Sequence, residues 1–363
     1  MNSVKVSIIT VVYNAEKTVE QTIMSVLNQT YSNIEYIVID GSSTDGTMDI
    51  INQYKDRISK IISEPDNGIY DAMNKGILST TGEIIGIINA DDWYEVNTVE
   101  NVIGVFSSKK AEIVYGNMNI IESDMLVDCL YPSTLENMWH ELCIFHPATF
   151  VKRTVYERLG IFDETYEIAG DYEFMLRAYS EGVKFKYIDS VLSNFRNNGV
   201  SCTKLYKARE EDNKISLKYI DKSPNKEVVY KKIMDRQDFI RFGELVQKNS
   251  QLIRKTLFSL FSEDKIPVSI IGIGIWGREM SRILNSCEIE IEGYYDNNPQ
   301  KNGTRFNNLV VRNPSSLCNK KANVIIAIKK NTEEIEEQLR AYNNSKLKWI
   351  TMSDLIKRID DKE

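Results

Sequence analysis

Along the first two hundred positions, apolar residues fall into short dense runs separated by amphipathic stripes. Val6–Val12 is rich in β-branched residues and predicts a strand. Asn14 can cap the helix that follows, whose apolar positions Val19, Ile23, Val26 and Leu27 recur at helical spacing. Residues 34–39 predict a second strand, closed by the turn Asp40-Gly41-Ser42-Ser43. A short helix reaches Tyr54, and 58–62 predict a third strand. Ile69, Ala72, Met73 and Ile77 form the next helical stripe, and 84–88 a fourth strand that ends at Asn89-Ala90-Asp91-Asp92. This βαβα rhythm predicts an α/β fold on a parallel sheet with helices on both faces. Such sheets bind ligands at the C-terminal ends of their strands, where Asp40, Asp91 and Asp92 fall.

Past residue 200 the pattern changes. Residues 204–255 read as mostly helical, broken once at Pro224. They hold 14 Lys and Arg against 8 Asp and Glu, a local charge of +6 in a chain whose total is −7. A second strand–helix system starts near Ile266. Val268–Ile271 predicts a strand, Gly272-Ile273-Gly274-Ile275-Trp276-Gly277 follows, and a helix runs through Leu284. Residues 289–295 predict a strand ending at Asp296, and 323–328 and 349–351 predict two more. About 95 residues suffice for half of a doubly wound fold. The expected organisation is a first α/β domain over 1–203, a basic helical linker or subdomain over 204–265, and a smaller α/β domain over 266–363.

Composition narrows the class. The chain has 363 residues, 42% hydrophobic and 27% charged, which excludes a disordered or collagen-like protein. The acidic total argues against nucleic-acid binding. Five cysteines, Cys129, Cys143, Cys202, Cys287 and Cys318, are odd in number and widely spaced, without a Cys-x-x-Cys pair. That pattern is neither a disulfide framework nor a zinc site, and it points to a reducing, cytoplasmic compartment. The N-terminus shows no secretory signal, and no apolar run approaches the ~20 residues of a membrane span. A soluble or peripheral protein is expected.

The chemistry lies in an ordered set of motifs: Ser7-Ile8-Ile9-Thr10-Val11-Val12-Tyr13-Asn14, Asp40-Gly41-Ser42-Ser43-Thr44-Asp45-Gly46-Thr47, Asp66-Asn67-Gly68-Ile69-Tyr70-Asp71-Ala72-Met73-Asn74-Lys75-Gly76 and Asn89-Ala90-Asp91-Asp92. His146-Pro147-Ala148-Thr149-Phe150 and Ala169-Gly170-Asp171-Tyr172-Glu173-Phe174 continue the series. Together, over roughly residues 4–200, they resemble the bacterial family 2 glycosyltransferases. The resemblance implies the GT-A fold, a nucleotide-sugar donor (a UDP-sugar) and a saccharide or lipid-linked saccharide acceptor in surface polysaccharide assembly. It also implies transfer with inversion by a single displacement.

The resemblance also assigns roles. A departing nucleoside diphosphate carries concentrated negative charge, which Mn²⁺ or Mg²⁺ bound by carboxylates can stabilise. Asp91 and Asp92 are placed in the family's Asp-x-Asp-type motif. Its first position here is Asn89, which leaves open which aspartate is the direct metal ligand; such a pair can also simply shape a turn. Asp40 is implied to accept a hydrogen bond from the base, with an Asx-turn as its plainer role. Tyr13 borders the base or packs at the core edge. Lys75 and Asp91 flank the donor diphosphate, Lys75 being equally readable as a solvated helix lysine. Asp171 is implied to be the general base, with a plain N-cap as the alternative; a helix N-terminus would keep its pKa low. Glu173 is the reserve candidate. His146 faces the acceptor or helps hold the metal, or is simply structural.

In the last domain, Gly272-x-Gly274-x-x-Gly277 after a strand fits a dinucleotide turn, and Asp296, 24 positions after Gly272, stands where a ribose-binding acid is expected. The domain resembles the small Rossmann-like domains of bacterial sugar-modifying enzymes. It is expected either to bind NAD(H) or another nucleotide, or to be a structural module. Two alternatives to the transferase stand beside it: an NAD(P)-dependent sugar oxidoreductase or epimerase acting through this domain, and a non-catalytic nucleotide-sugar-binding scaffold. The basic stretch offers attraction to an anionic membrane at about 1 kcal/mol per residue, or a solvated face.

Overall fold

Val6–Val12 (β1) is buried at all seven positions, as a central strand covered on both faces must be. The computed structural model describes residues 3–108, 110–122, 124–196, 204–248, 250–261, 267–328 and 331–360. β1 is flanked in parallel by β2 (Ile34–Asp40) and by β4 (Ile84–Asn89). β3 (Lys60–Ser63) adds a half-exposed parallel edge outside β2. Helices α1 (Val19–Leu27), α2 (Thr47–Gln53) and α3 (Ile69–Ser79) make the crossovers. Alternate residues feed two cores. Ile9, Ile37 and Ile85 pack against α3, while Ile8, Tyr36 and Ile84 pack with Val19 and Ile23 of α1.

Asn14 does not cap α1. Residues 15–18 form a turn first, and Asn14, at φ 48°, accepts the Thr44 N–H at 2.8 Å. Beyond β4 the sheet also departs from the all-parallel expectation. After β5 (Trp93–Tyr94) and α4 (Thr98–Ser108), β6 (Ile113–Glu122) and β7 (Met125–Leu130) form a hairpin. β8 (Thr149–Lys152) lies antiparallel to both β4 and β6. After α5 (Arg153–Leu159) and α6 (Gly170–Ser180), β9 (Phe185–Arg196) pairs with β6 in parallel and with β5 antiparallel. Short hairpin connections favour antiparallel pairing, which needs no crossover helix. The strand order is β3-β2-β1-β4-β8-β6-β9-β5, with β7 on β6.

The chain divides into two compact units, Met1–Gln237 and Asp238–Glu363. The basic stretch contributes to both. Helix α7 (Leu205–Tyr219) gives Ile215 and Tyr219 to the first unit's core. In α8 (Lys226–Lys248), Val229 and Ile233 pack with Ile220 and Trp139. In α9 (Ser250–Phe261), Ile253, Leu257 and Phe261 join the second unit's core. Many of its cations meet acids of the first unit: Lys204 and Lys207 pair with Glu167, Lys218 with Glu173, and Lys222 with Glu181. Within the first unit, these cations of the basic stretch are thus paired with acids from earlier in the chain. The expected boundaries near 203 and 266, and Cys202, lie outside the described residues.

In the second unit β10 (Val268–Ile271) leads into α10 (Ile275–Ser286) and β11 (Ile291–Tyr295). The hairpin β12 (Arg305–Phe306) and β13 (Leu309–Arg312) turns through Asn307 and Asn308, both at positive φ, as tight hairpin turns require. β14 (Ala322–Ile326), α11 (Thr332–Ala341), β15 (Leu347–Thr351) and α12 (Met352–Asp360) complete it. The order β12-β13-β11-β10-β14-β15 is parallel except at β12, with β10 central, giving a second, smaller α/β sheet domain. Cys129, Cys143, Cys287 and Cys318 are free thiols. Among the described residues no helix is long and apolar enough to cross a membrane.

Candidate active site

Register builds the site. Val12 pairs with Asp40 and Val11 with Asn89, so β2 and β4 deliver their last residues to either side of the same end of β1. The Asp40 side chain is fully buried. It accepts the Ser63 hydroxyl at 2.6 Å and, three residues on, the Ser43 N–H at 3.2 Å, so it braces the 40–43 turn from its first residue without the bond to Ser42 that an Asx-turn would make. Tyr13 stands beside it, 64% exposed. Gly41 leaves room for Asp66: a Cβ would lie 2.3 Å from Asp66 Oδ2, which would have to swing aside, and 3.4 Å from the Tyr13 ring. Asp66 in turn accepts the Gly68 N–H ahead of α3. Lys75 donates to the Pro65 carbonyl at 2.8 Å and pairs with Glu64 and Asp71, tying down the 64–71 loop.

The turn after β4 carries unsatisfied oxygen. Asp92 is fully buried; Arg196 N–H donates to its Oδ1 at 3.0 Å, while Oδ2 has no partner. Asn89 Oδ1 is also buried and unpartnered. Burial, and then the charge of Asp91, push the Asp92 carboxyl far above the usual carboxylate range. Burial raises Asp91 as well, against the pull of Arg196. Arg196 was missed at the level of sequence. It donates to the Asp91 carbonyl and Gln21, pairs with Asp124, and lies over the Trp93 ring at 4.7 Å. A cation suits this turn, because it would satisfy the orphaned oxygens and neutralise two crowded carboxyls. Among the described residues no group of three or more His, Cys, Asp and Glu is arranged to hold an ion, so the donor set would need oxygens from a bound ligand.

Asp171 lies in the first turn of α6, whose N-cap is Ala169, so it is not the cap residue. Its Oδ1 accepts the Tyr172 N–H at 2.8 Å and the Tyr70 hydroxyl at 3.3 Å. Gly170 lets the Tyr70 ring in, since a Cβ would stand 2.8 Å from it. The low pKa expected from the helix terminus is not observed. Burial outweighs it, with the nearby Asp212 charge contributing, and pushes the Asp171 carboxyl up to about 6. A carboxylate at that value takes a proton better than one at the ordinary value and is ionised at neutral pH.

Glu173 points elsewhere. It is 1% exposed and engaged by Arg177, Lys218 and the Tyr219 hydroxyl, at 2.9, 2.9 and 2.6 Å. It anchors α6 to α7 and has no free oxygen to act as a base. His146 is buried against Phe162, and burial pushes its imidazole down to about 4. It is not grouped with Asp91 and Asp92 as a metal ligand. Asp171 touches Tyr70 of the 66–75 loop and helix, rather than either of those aspartates.

In the second unit Gly272, at φ +92°, would carry a Cβ 2.2 Å from Ile328, and a Cβ on Gly277 would lie 1.7 Å from the Gly272 carbonyl oxygen. Gly274 faces open space. Asp296 accepts the Ile273 N–H at 3.1 Å, the Asn298 N–H at 2.9 Å and the Lys301 ammonium at 3.0 Å. Its carboxylate is thus committed to holding the glycine turn.

Comparison with known proteins places the first unit. The family description Glycosyl transferase family 2 matches residues 7–145, which include Tyr13, Asp40, Lys75, Asp91 and Asp92 but not Asp171. The chain is 31% identical over 196 residues to the Escherichia coli UDP-Glc:alpha-D-GlcNAc-diphosphoundecaprenol beta-1,3-glucosyltransferase WfaP, covering 53% of this chain and 76% of that protein. It is 27% identical over 199 residues to a PGL/p-HBAD biosynthesis glycosyltransferase of Mycobacterium tuberculosis, covering 53% and 77%. Residues 1–349 of Staphylococcus aureus TarS, solved with UDP-GlcNAc, share the fold with a TM-score of 0.53 at 16% identity, covering 64% of this chain and 71% of that one. Of the longer TarS chain this protein spans 43%.

Proposed function

The chain belongs to glycosyl transferase family 2, and on that premise we propose that it moves a sugar from a UDP-sugar to a saccharide or lipid-linked saccharide hydroxyl, with inversion, in surface polysaccharide assembly. The name of the E. coli relative, a UDP-Glc-dependent glucosyltransferase acting on a diphosphoundecaprenol-linked sugar, supports this donor and acceptor chemistry. One observation carries the reading. The first unit holds two kinds of acid: a crowded Asp91–Asp92 pair with an orphaned oxygen, and a separate Asp171 raised to about 6. Transfer from a nucleoside diphosphate can use both, one to hold a cation against leaving-group charge and one to take a proton.

In this reading Tyr13 borders the uracil ring. Asp40, fully buried, acts through the turn it shapes and not by an exposed oxygen. Asp91 and Asp92 would hold Mn²⁺ or Mg²⁺, which when bound supplies positive charge to the diphosphate. Asp91, the more exposed of the two, is the residue we assign to direct ligation. Asp171 accepts the proton of the acceptor hydroxyl as that oxygen attacks the anomeric carbon, and the Tyr70 hydroxyl holds its Oδ1 in place. The oxidoreductase alternative fares worse, because the acid it would assign to a ribose, Asp296, is tied to Lys301 and Ile273. A thermal-shift panel of nucleotides and nucleotide sugars, with and without Mn²⁺, tests the proposal. UDP compounds should stabilise the protein only with the metal. Stabilisation by NAD(H) alone would turn the assignment to the second unit.

A further inference from the structure

Helix α7 lies in the stretch expected to be a basic helical linker or subdomain, and one of its acids reaches the segment that carries the proposed base. Glu211 is 5% exposed. Its Oε1 accepts the Glu167 N–H at 3.0 Å, and its Oε2 accepts the Ile168 N–H at 2.9 Å and the Ala169 N–H at 2.8 Å. Three consecutive amides leading into α6 therefore converge on one carboxylate from a different helix. Such charge-assisted bonds are about twice as strong as neutral ones. The peptide groups flanking Ile168 are held from both sides. Glu211 takes the residue's N–H, and the Tyr70 hydroxyl donates to its carbonyl at 2.6 Å. Tyr70 also touches Asp171. Neighbouring contacts lock the same pair of helices together: Tyr172 hydroxyl with Ser216, and Glu173 with Lys218 and Tyr219.

We infer that Glu211 is a positioning residue for the transfer reaction, fixing the 167–169 backbone so that Asp171 meets the acceptor hydroxyl in register. This rests on the reading of Asp171 as the base. It makes α7 part of the transferase machinery and assigns Glu211 a role beyond simple helix capping. Displacements of about 1 Å in a reacting group can cost about 100-fold in rate, so the effect belongs in turnover and not in donor binding.

The test compares Glu211→Gln, Glu211→Ala and Asp171→Asn in the full chain, with UDP-sugar turnover, donor KM, UDP affinity by calorimetry and the pH profile of kcat. The glutamine variant keeps the side chain's shape and one acceptor oxygen, so it carries the test where the alanine variant does not fold. The expected result for Glu211→Gln is a fall in kcat of about 10- to 100-fold, with donor KM and UDP affinity within about twofold. The acid limb answers to two opposed changes, the loosened Tyr70–Asp171 contact, which moves it up, and the lost Glu211 charge, which moves it down, so the deciding readout is kcat against donor KM. An unchanged kcat in a folded Glu211→Gln would overturn the inference, as would a rise in donor KM matching the fall in kcat. Failure of the base reading looks different: Asp171→Asn would then keep its turnover.

Discussion

The Tyr70 hydroxyl lies 3.3 Å from Asp171 Oδ1 while donating to the Ile168 carbonyl at 2.6 Å, so a residue of helix α3 grips the start of α6. Asn74, one turn further along α3, reinforces it through bonds to both the N–H and the carbonyl of Phe162. Helix α3 and the proposed base are thereby mechanically joined. Tyr70→Phe should lower kcat by about tenfold, with little change in UDP affinity. It should also move the acid limb upward, since the lost hydrogen bond favours the ionised form of Asp171. Steady-state kinetics across pH, beside calorimetry with UDP, checks both parts.

The pH dependence of the wild type follows from Asp171. The residue works as a base only when ionised, so with its carboxyl at about 6 the kcat/KM profile should be flat above about pH 7 and fall as pH drops through about 6. Linkage gives a second outcome. Folding raises this carboxyl above its ordinary 3.8, so the ionised form is the costly one in the folded state. That cost is absent below pH 3.8 and fully present above pH 6. Asp171→Asn should therefore raise Tm at pH 7 by a few degrees, measurable by calorimetry, while it removes activity.

Asp91 and Asp92 should separate in phenotype. Asp91→Ala should abolish the Mn²⁺-dependent part of UDP binding and leave the fold intact. Asp92→Asn removes a buried carboxyl held far above the usual range, and should weaken metal-dependent binding without loss of thermal stability. Titrations with Mn²⁺ and with EDTA distinguish the two. Undiminished UDP binding in both variants would contradict the metal assignment.

Much of this was legible in the chain, for reasons that particular residues show. The strands β1, β2 and β4 were readable because continuous apolar runs mark strands covered on both faces. The turn at Asp91–Asp92 was readable because it ends such a run. The mixed half of the sheet was not, because β8 and β9 find their partners across long insertions that periodicity does not encode. The pKa of Asp171 was misjudged because a helix N-terminus is visible in sequence and the burial around it is not. Glu173 carried a warning, since Arg177 stands four residues on and pairs with it at 2.9 Å. Glu211 gave none, its partners being 42 to 44 positions away. The basic stretch reads as a linker or subdomain, and its pairing was not legible because its acidic complements, such as Glu167 and Glu181, lie in another part of the chain.

Gly41 supplies a test of the proposed uracil contact at Tyr13. A Cβ there would meet Asp66 Oδ2 at 2.3 Å and touch Tyr13, so Gly41→Ala must push the Asp66 carboxylate aside. That carboxylate can swing, so the fold should survive. Donor KM should rise by about tenfold, equivalent to about 1.4 kcal/mol, with kcat nearly unchanged. A fall in kcat at constant KM would place Gly41 outside the donor site.

If Asp171 takes the acceptor proton at a site where the Asp91–Asp92 turn binds metal and diphosphate, Asp171→Asn separates turnover from donor binding. UDP release during transfer, measured beside UDP affinity in the same preparation with Mn²⁺, reads both. Turnover should fall by about 100- to 10,000-fold, with UDP affinity within about twofold of wild type. Turnover equal to wild type in a folded, UDP-binding Asp171→Asn would contradict that role for Asp171.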